Sequence, residues 1–187
     1  MINWKTGLVL LAVLAGLALY AYQTRPQGSP PPAAALVPCG AADTLELKLE
    51  QPGAAVLDLQ RAGPGADWQI LLPAPGAADA AALDSLLGGL QSTLPTATIG
   101  QPPSGSSYGF DRPSLRVSCR LSGGRSYTLS IGDKTFDGSS YYVRLSGQSR
   151  VEVISAGEVD QLNQALAKPP YRPSPSPAGS TGPSPTT

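Results

Sequence analysis

The chain has 187 residues, with 13 basic and 13 acidic side chains, no histidine, two cysteines, 21 glycines and 20 prolines. Zero net charge argues against bulk electrostatic capture of nucleic acid, which needs a basic stripe that releases counterions. The lack of histidine removes the usual general base, metal ligand and pH switch together.

The length suits one domain with appendages and leaves roughly 125 residues for a folded core. Gly7 to Tyr22 (GLVLLAVLAGLALYAY) carries no charge. Counted back to Ile2, with Lys5 snorkelling, a helix here is about 31 Å long, enough to cross a bilayer core. Leu19, Tyr20 and Tyr22 spoil the small-residue frames that a signal peptidase needs. Residues 1–24 therefore read as an uncleaved transmembrane anchor rather than a cleaved leader. Lys5 and the terminal amine favour a cytoplasmic N-terminus, with Arg25 voting the other way. The expected location is the cell membrane, single-pass, with the body of the protein extracytoplasmic (periplasmic). Residues 25–42 read as a linker, stiffened toward polyproline II by Pro30-Pro31-Pro32.

A folded domain is expected over 43–168. Leu45, Leu47 and Leu49 alternate with Glu46, Lys48 and Glu50, the pattern of a half-buried strand. Gln51-Pro52-Gly53 turns it, Leu57 and Leu59 start a second strand, and Trp68 to Leu72 forms a third, ended by Pro73. Asp79 is the expected N-cap of a helix whose Leu83, Leu86, Leu87, Leu90 and Leu94 share one stripe. Gly88-Gly89 inside it costs about 1 kcal/mol per residue relative to alanine, which implies close backbone packing or a fraying last turn. Thr96 to Ile99 is a candidate short strand.

From Tyr108 to Ile154 the period is two. Leu115, Val117, Cys119 and Leu121 face one side while Arg116, Ser118 and Arg120 face the other. Gly123-Gly124 marks a hairpin, Tyr127, Leu129 and Ile131 a second strand, and Asp137-Gly138 another turn. Tyr141, Val143 and Leu145 alternate again, and Val151 to Ile154 closes the run. Ser155 and Glu158 fit a capping box opening a last helix lined by Val159, Leu162 and Leu166. Residues 169–187 have almost nothing apolar to bury and read as a disordered Pro/Ser/Thr-rich tail. The expected fold class is α+β, in the order β-β-β-α-β-β-β-β-α. It pictures antiparallel sheet segments each covered by a helix, preceded by one transmembrane helix.

Trp68 with Pro73, Asp79 and the leucine helix, Tyr108-Gly109-Phe110-Asp111-Arg112-Pro113, Ile131-Gly132 and Tyr142-Val143-Arg144 follow one another at telling intervals. In order and spacing this resembles the bacterial family called domain of unknown function 4340, from Leu45 to Leu166. The resemblance implies a single-span protein facing away from the cytoplasm. Some members are encoded beside components of ABC-type transporters or gliding machinery. It carries over no catalytic residues. The longer Pro-rich linker and the tail depart from the pattern and leave a shared partner open.

Outside the cytoplasm Cys39 and Cys119 are free to form a disulfide; the alternative is that Cys119 is a small buried residue of the core face. Neither has a histidine to activate it as a nucleophile. Asp133, Asp137 and Asp111 read as turn formers, since the spacing of a calcium loop is missing. Tyr108, Phe110 and Tyr141 read as core, with an aromatic binding patch as the alternative. Tyr142 and Arg144 are the better surface candidates. Acidic residues crowd the first half of the domain and basic ones the second, so the two halves either pair or leave a basic sheet face for an acidic partner.

No catalytic, cofactor-binding or metal site is marked, and no cofactor is expected. The reading is an extracytoplasmic interaction domain, accessory or scaffold to a membrane-protein complex, with Arg116, Arg120, Tyr142 and Arg144 as its partner surface. A binding module for cell-wall glycan or peptide comes second, and an unmarked hydrolase third.

Overall fold

The computed structural model of the protein describes residues 16, 35–100, 102 and 108–173. The anchor expected over 1–24 (residue 16 apart), the linker up to residue 34 and the tail from residue 174 lie outside the described residues.

Alternating apolar residues build most of the strands. In chain order the elements are β1 (Thr44–Gln51), β2 (Ala55–Gln60), β3 (Gln69–Leu72), β4 (Gly76–Ala77), α1 (Ala80–Ser92), β5 (Ala97–Ile99), β6 (Leu115–Leu121), β7 (Ser126–Lys134), β8 (Ser140–Leu145), β9 (Val151–Ser155) and α2 (Ala156–Ala167). All nine strands join one antiparallel sheet in the order β4-β3-β2-β1-β6-β7-β8-β9-β5.

This corrects the expected fold class. Two sheet segments, each under its own helix, do not exist. β1 from the first half pairs along its length with β6 from the second, and that seam welds the halves into a single sheet. The reason is the shared period: Leu47 lies opposite both Leu59 and Cys119, and Leu49 opposite both Leu57 and Val117. One strand's apolar side thus continues into both neighbours without a break. The other correction concerns the helix placed before the sheet. Among the described residues no helix is long and apolar enough to cross a membrane.

Both helices lie over the same apolar face. Leu83, Leu87 and Leu90 of α1 and Val159, Leu162 and Leu166 of α2 share one buried cluster with Leu47, Leu59, Val117, Leu129, Ile131 and Val143. α1 leaves β4 at one edge of the sheet and leads to β5 at the other. Its start is the expected one: Asp79 Oδ1 accepts from the backbone N–H groups of Ala81 (3.0 Å) and Ala82 (3.2 Å). It ends at Ser92, so Leu94 falls beyond the helical stripe and stays exposed. Gly89 faces Gln161 of α2, and a Cβ there would lie 3.7 Å from its Oε1. That is ordinary van der Waals contact, so space does not require glycine here. Gly88 meets nothing.

The folded unit starts at Ala35, ahead of the expected boundary at residue 43. Leu36, Val37 and Cys39 are buried, and Cys39 is disulfide-bonded to Cys119 of β6 across a separation of 80 residues. Arg61 holds this lead-in segment. Its Nε donates to the Thr44 carbonyl (2.6 Å) and its Nη2 to the carbonyls of Ala41 (2.6 Å) and Ala42 (3.0 Å), with the guanidinium 4.9 Å from the Trp68 ring centroid. At the far end, Tyr171 bridges Ala78 and donates through its hydroxyl to the Ala74 carbonyl (2.8 Å), covering the β4 edge. Both chain ends of the unit are tied down.

Candidate functional site

With both described helices on one face, the other face of the central strands carries none among the described residues. Period two dictates what it displays: Glu46, Lys48 and Glu50 on β1, Arg116, Ser118 and Arg120 on β6, Thr128 and Ser130 on β7, Tyr142 and Arg144 on β8. The face divides by sign. Asp58 of β2 joins the acidic side, and burial, helped by Glu46, pushes its carboxyl above the ordinary range while Lys48 pulls the other way. Arg116, Arg120 and Arg144 make the basic side.

The seam between the two is closed by an ion pair. Arg120 directs both Nε and Nη2 to Glu46 Oε2, each at 2.8 Å. Lys48 pairs with Glu50 at 3.3 Å along the same strand. The halves therefore do pair, and Arg120 is engaged in the fold. Among the described residues neither Arg116 nor Arg144 forms an ion pair, although the register sets Glu50 opposite Arg116. The sheet register places Ser130 opposite Arg116 on one side and opposite Arg144 on the other. These two arginines thus stand two strands apart, about 10 Å between backbones, with a hydroxyl between them.

Beside them lies an aromatic cluster that the sequence divided differently. Tyr108 and Phe110 do not enter the core. The half-buried Tyr108 ring meets Tyr142 edge-on at 4.7 Å between centroids, Phe110 lies 6.3 Å from Tyr108, and the Arg144 guanidinium sits 4.5 Å over Phe110. Tyr141, on the opposite side of β8, packs against the core as expected.

The family-like residues turn out to be what seats this cluster. Between Ile131 and Lys134 the β7–β8 register shifts. There Asp133 N–H donates to the Tyr108 carbonyl (2.8 Å), and Ser114 Oγ donates to the carbonyls of Ile131 (3.2 Å) and Gly132 (3.0 Å). A Cβ on Gly132 would come within 1.9 Å of the Tyr108 carbonyl oxygen and 3.2 Å of the Phe110 ring. Gly109 turns the segment with a φ of +81°, open to glycine and few others. Pro113 is buried behind it, and Trp68 is buried far off under Arg61. Tyr108, Gly109, Phe110, Pro113 and Gly132 come together; Trp68 does not join them.

Three features escaped the sequence reading: Arg61 as a carbonyl clamp, Glu152 as a buried carboxylate, and Phe136. Glu152 is held by Thr98 Oγ1 and by Arg150 Nε at 2.7 Å. Only Phe136 left a readable trace, an aromatic residue inside a turn signal.

A cleft of about 160 Å³ between the helices is lined by Val37, Leu86, Leu90, Leu129 and Leu162, with Glu158 at its margin. That is below the roughly 300–1,000 Å³ of ordinary ligand pockets, whereas a more open groove of about 630 Å³ along the helices, lined by Leu86, Gln161, Ala165, Pro170 and Tyr171, falls within that range. Burial raises the Glu158 carboxyl, and the Ser155 backbone N–H of the helix cap partly offsets the rise. Among the described residues no group of three or more His, Cys, Asp or Glu could hold a metal ion.

One antiparallel sheet with both described helices on one face and charges and rings on the other defines a mixed α and β domain whose uncovered sheet face is the candidate surface. The chain belongs to the family described as Domain of unknown function (DUF4340), which matches residues 68–168, more than half of its length. No curated protein and no solved structure matches the chain.

Proposed function

We propose that this protein is an interaction domain held at the outer side of a membrane by its apolar N-terminal stretch, acting as accessory or scaffold to a larger membrane assembly. The docking surface is the helix-free face of the sheet. One observation carries the reading: Arg116 and Arg144 flank Ser130 on that face, unpaired among the described residues, while neighbouring Arg120 is neutralised by Glu46. Charge left unpaired on a face stiffened by strand pairing favours a complementary acidic partner and speeds its encounter.

The membrane part rests on the uncharged stretch Gly7 to Tyr22. A bonded Cys39–Cys119 pair supports an oxidising compartment. The clustered rings of Tyr108, Phe110 and Tyr142 favour a second reading, a patch for peptide or glycan.

The test is affinity purification of the full-length protein in mild detergent, wild type against the double variant Arg116→Glu/Arg144→Glu. Co-purification of a membrane protein with wild type, and its loss with a folded variant, is the expected result. Equal recovery would refute the docking face. Arg120 is left intact because it holds the ion pair with Glu46; Arg116 lies opposite Glu50, which pairs with Lys48 instead.

A further inference from the structure

The β7–β8 connection carries a side chain that the fold does not use. Phe136 is fully exposed, at 103%, whereas Leu71, Leu72, Leu94 and Tyr171 are exposed by 39–49% and keep half or more of their surface covered. A single exposed apolar residue is ordinary. What sets this one apart is the backbone beneath it.

Thr135 N–H donates to the Ser140 carbonyl (2.9 Å) and Gly138 N–H to the Thr135 carbonyl (2.8 Å), and Gly138 closes the turn at a φ of +73°. The Asp137 carboxylate accepts from Thr135 Oγ1 (2.6 Å), Ser139 Oγ (2.7 Å) and Ser139 N–H (3.2 Å). Those bonds, the Thr135 hydroxyl first, pull the Asp137 carboxyl down to about 2, so it is charged at any physiological pH. The tip is ordered before anything binds. An aromatic side chain presented on ordered backbone loses little entropy at encounter, and desolvated aromatics of this kind dominate interface energetics.

The tip also belongs to the docking face. The same hairpin carries Tyr142 and Arg144, and the Asp133 N–H at its base holds the Tyr108 carbonyl. Lys134, the cation nearest the tip, is drawn aside to within 5.3 Å of the Tyr141 ring centroid. That leaves Asp137 beside the exposed ring. A negative charge there opposes insertion into an anionic bilayer and suits a protein pocket with a basic rim.

We propose that Phe136 is the anchor of the docking surface, its ring entering an apolar pocket, rimmed by Lys or Arg, on a partner protein. This rests on the proposed docking function and deepens it by locating the contact.

Three measurements on the full-length protein test it. In the first, Phe136→Ala is compared with Arg116→Glu/Arg144→Glu in the detergent purification. Because the ring touches nothing, Phe136→Ala should leave the melting temperature within about 2 °C while lowering partner recovery at least about tenfold. Loss with the arginine variant but not with Phe136→Ala overturns the anchor and spares the docking face. No loss with either overturns both. In the second, photo-reactive p-benzoylphenylalanine at position 136 is irradiated in cells and the attachment sites are mapped. Attachment to one other protein, at an apolar segment flanked by Lys or Arg, is expected. Attachment to lipid, to a second copy of this chain, or scattered over many proteins overturns the proposal. So would binding to phosphatidylglycerol vesicles by wild type that Phe136→Ala abolishes.

Discussion

Gly132→Ala is the sharpest single perturbation the structure offers. The new methyl group would lie 1.9 Å from the Tyr108 carbonyl oxygen, a backbone atom that cannot swing aside as a side chain would. Seating it requires the Tyr108–Phe110 segment to lift off β7. That breaks the Asp133-to-Tyr108 hydrogen bond, worth about 1 kcal/mol net. It also separates Tyr108 from Tyr142 and Phe110 from Arg144, ring contacts worth about 0.5–1.5 kcal/mol. Residual misfit adds about 1 kcal/mol or more. The total is about 3 kcal/mol, which for a unit of this size lowers the melting temperature by roughly 10 °C. Far-UV circular dichroism reads the melt, and the near-UV tyrosine signal reads the cluster. Gly88→Ala is the control of opposite sign. It lies in mid-helix with nothing within 4 Å of its would-be Cβ, and it should stabilise by about 0.5–1 kcal/mol. A Gly132→Ala protein that melts within about 2 °C of wild type, with its near-UV spectrum unchanged, would refute this account of how the aromatic segment is seated.

Three further outcomes are expected. Cys119→Ser, or reduction of the Cys39 bond, should cost about 4–5 kcal/mol by the chain-entropy account of a loop of 80 residues, seen as a lower urea midpoint. A midpoint indifferent to reductant would contradict it. Asp137→Asn bears on acid stability. Because the folded carboxyl lies below its ordinary 3.8, its contribution is complete above that value and disappears as pH falls through about 2. The wild-type melting temperature should therefore fall more steeply than the variant's across that window, and parallel curves would count against the Thr135–Asp137–Ser139 network. Glu158→Gln has the reverse sign. Burial raises that carboxyl, so the penalty on the fold begins as pH rises through the ordinary 4.5, is complete above the folded value, and is absent well below 4.5. The variant should gain melting temperature at pH 7 and not at pH 4; an equal gain at both would show that charge is not the cause.

Local patterns were legible because their causes lie within a few residues. Leu45-Leu47-Leu49 and Leu115 to Leu121 announced strands by alternation, and Asp79 and Ser155 marked helix starts through groups they bond two or three residues on. Family membership was readable for the same reason, since ordered short motifs survive in one dimension. Strand partnership was not. Alternation says which side of β1 is apolar but not that β6, some 70 residues later, lies against it, because many antiparallel pairings satisfy the same period. Hence two sheets were expected where one exists, and β4, only two residues long, left no signal. The same limit governed the candidate site. Arg116, Arg120 and Arg144 look alike in sequence; the β1–β6 register sets Glu46 against Arg120 and Glu50 against Arg116, and only the first forms an ion pair, Glu50 going to Lys48. Composition and period determined what each strand shows to either side. Pairing across the sheet, a long-range choice won by continuous burial of leucine, decided which charges meet and which remain facing outward.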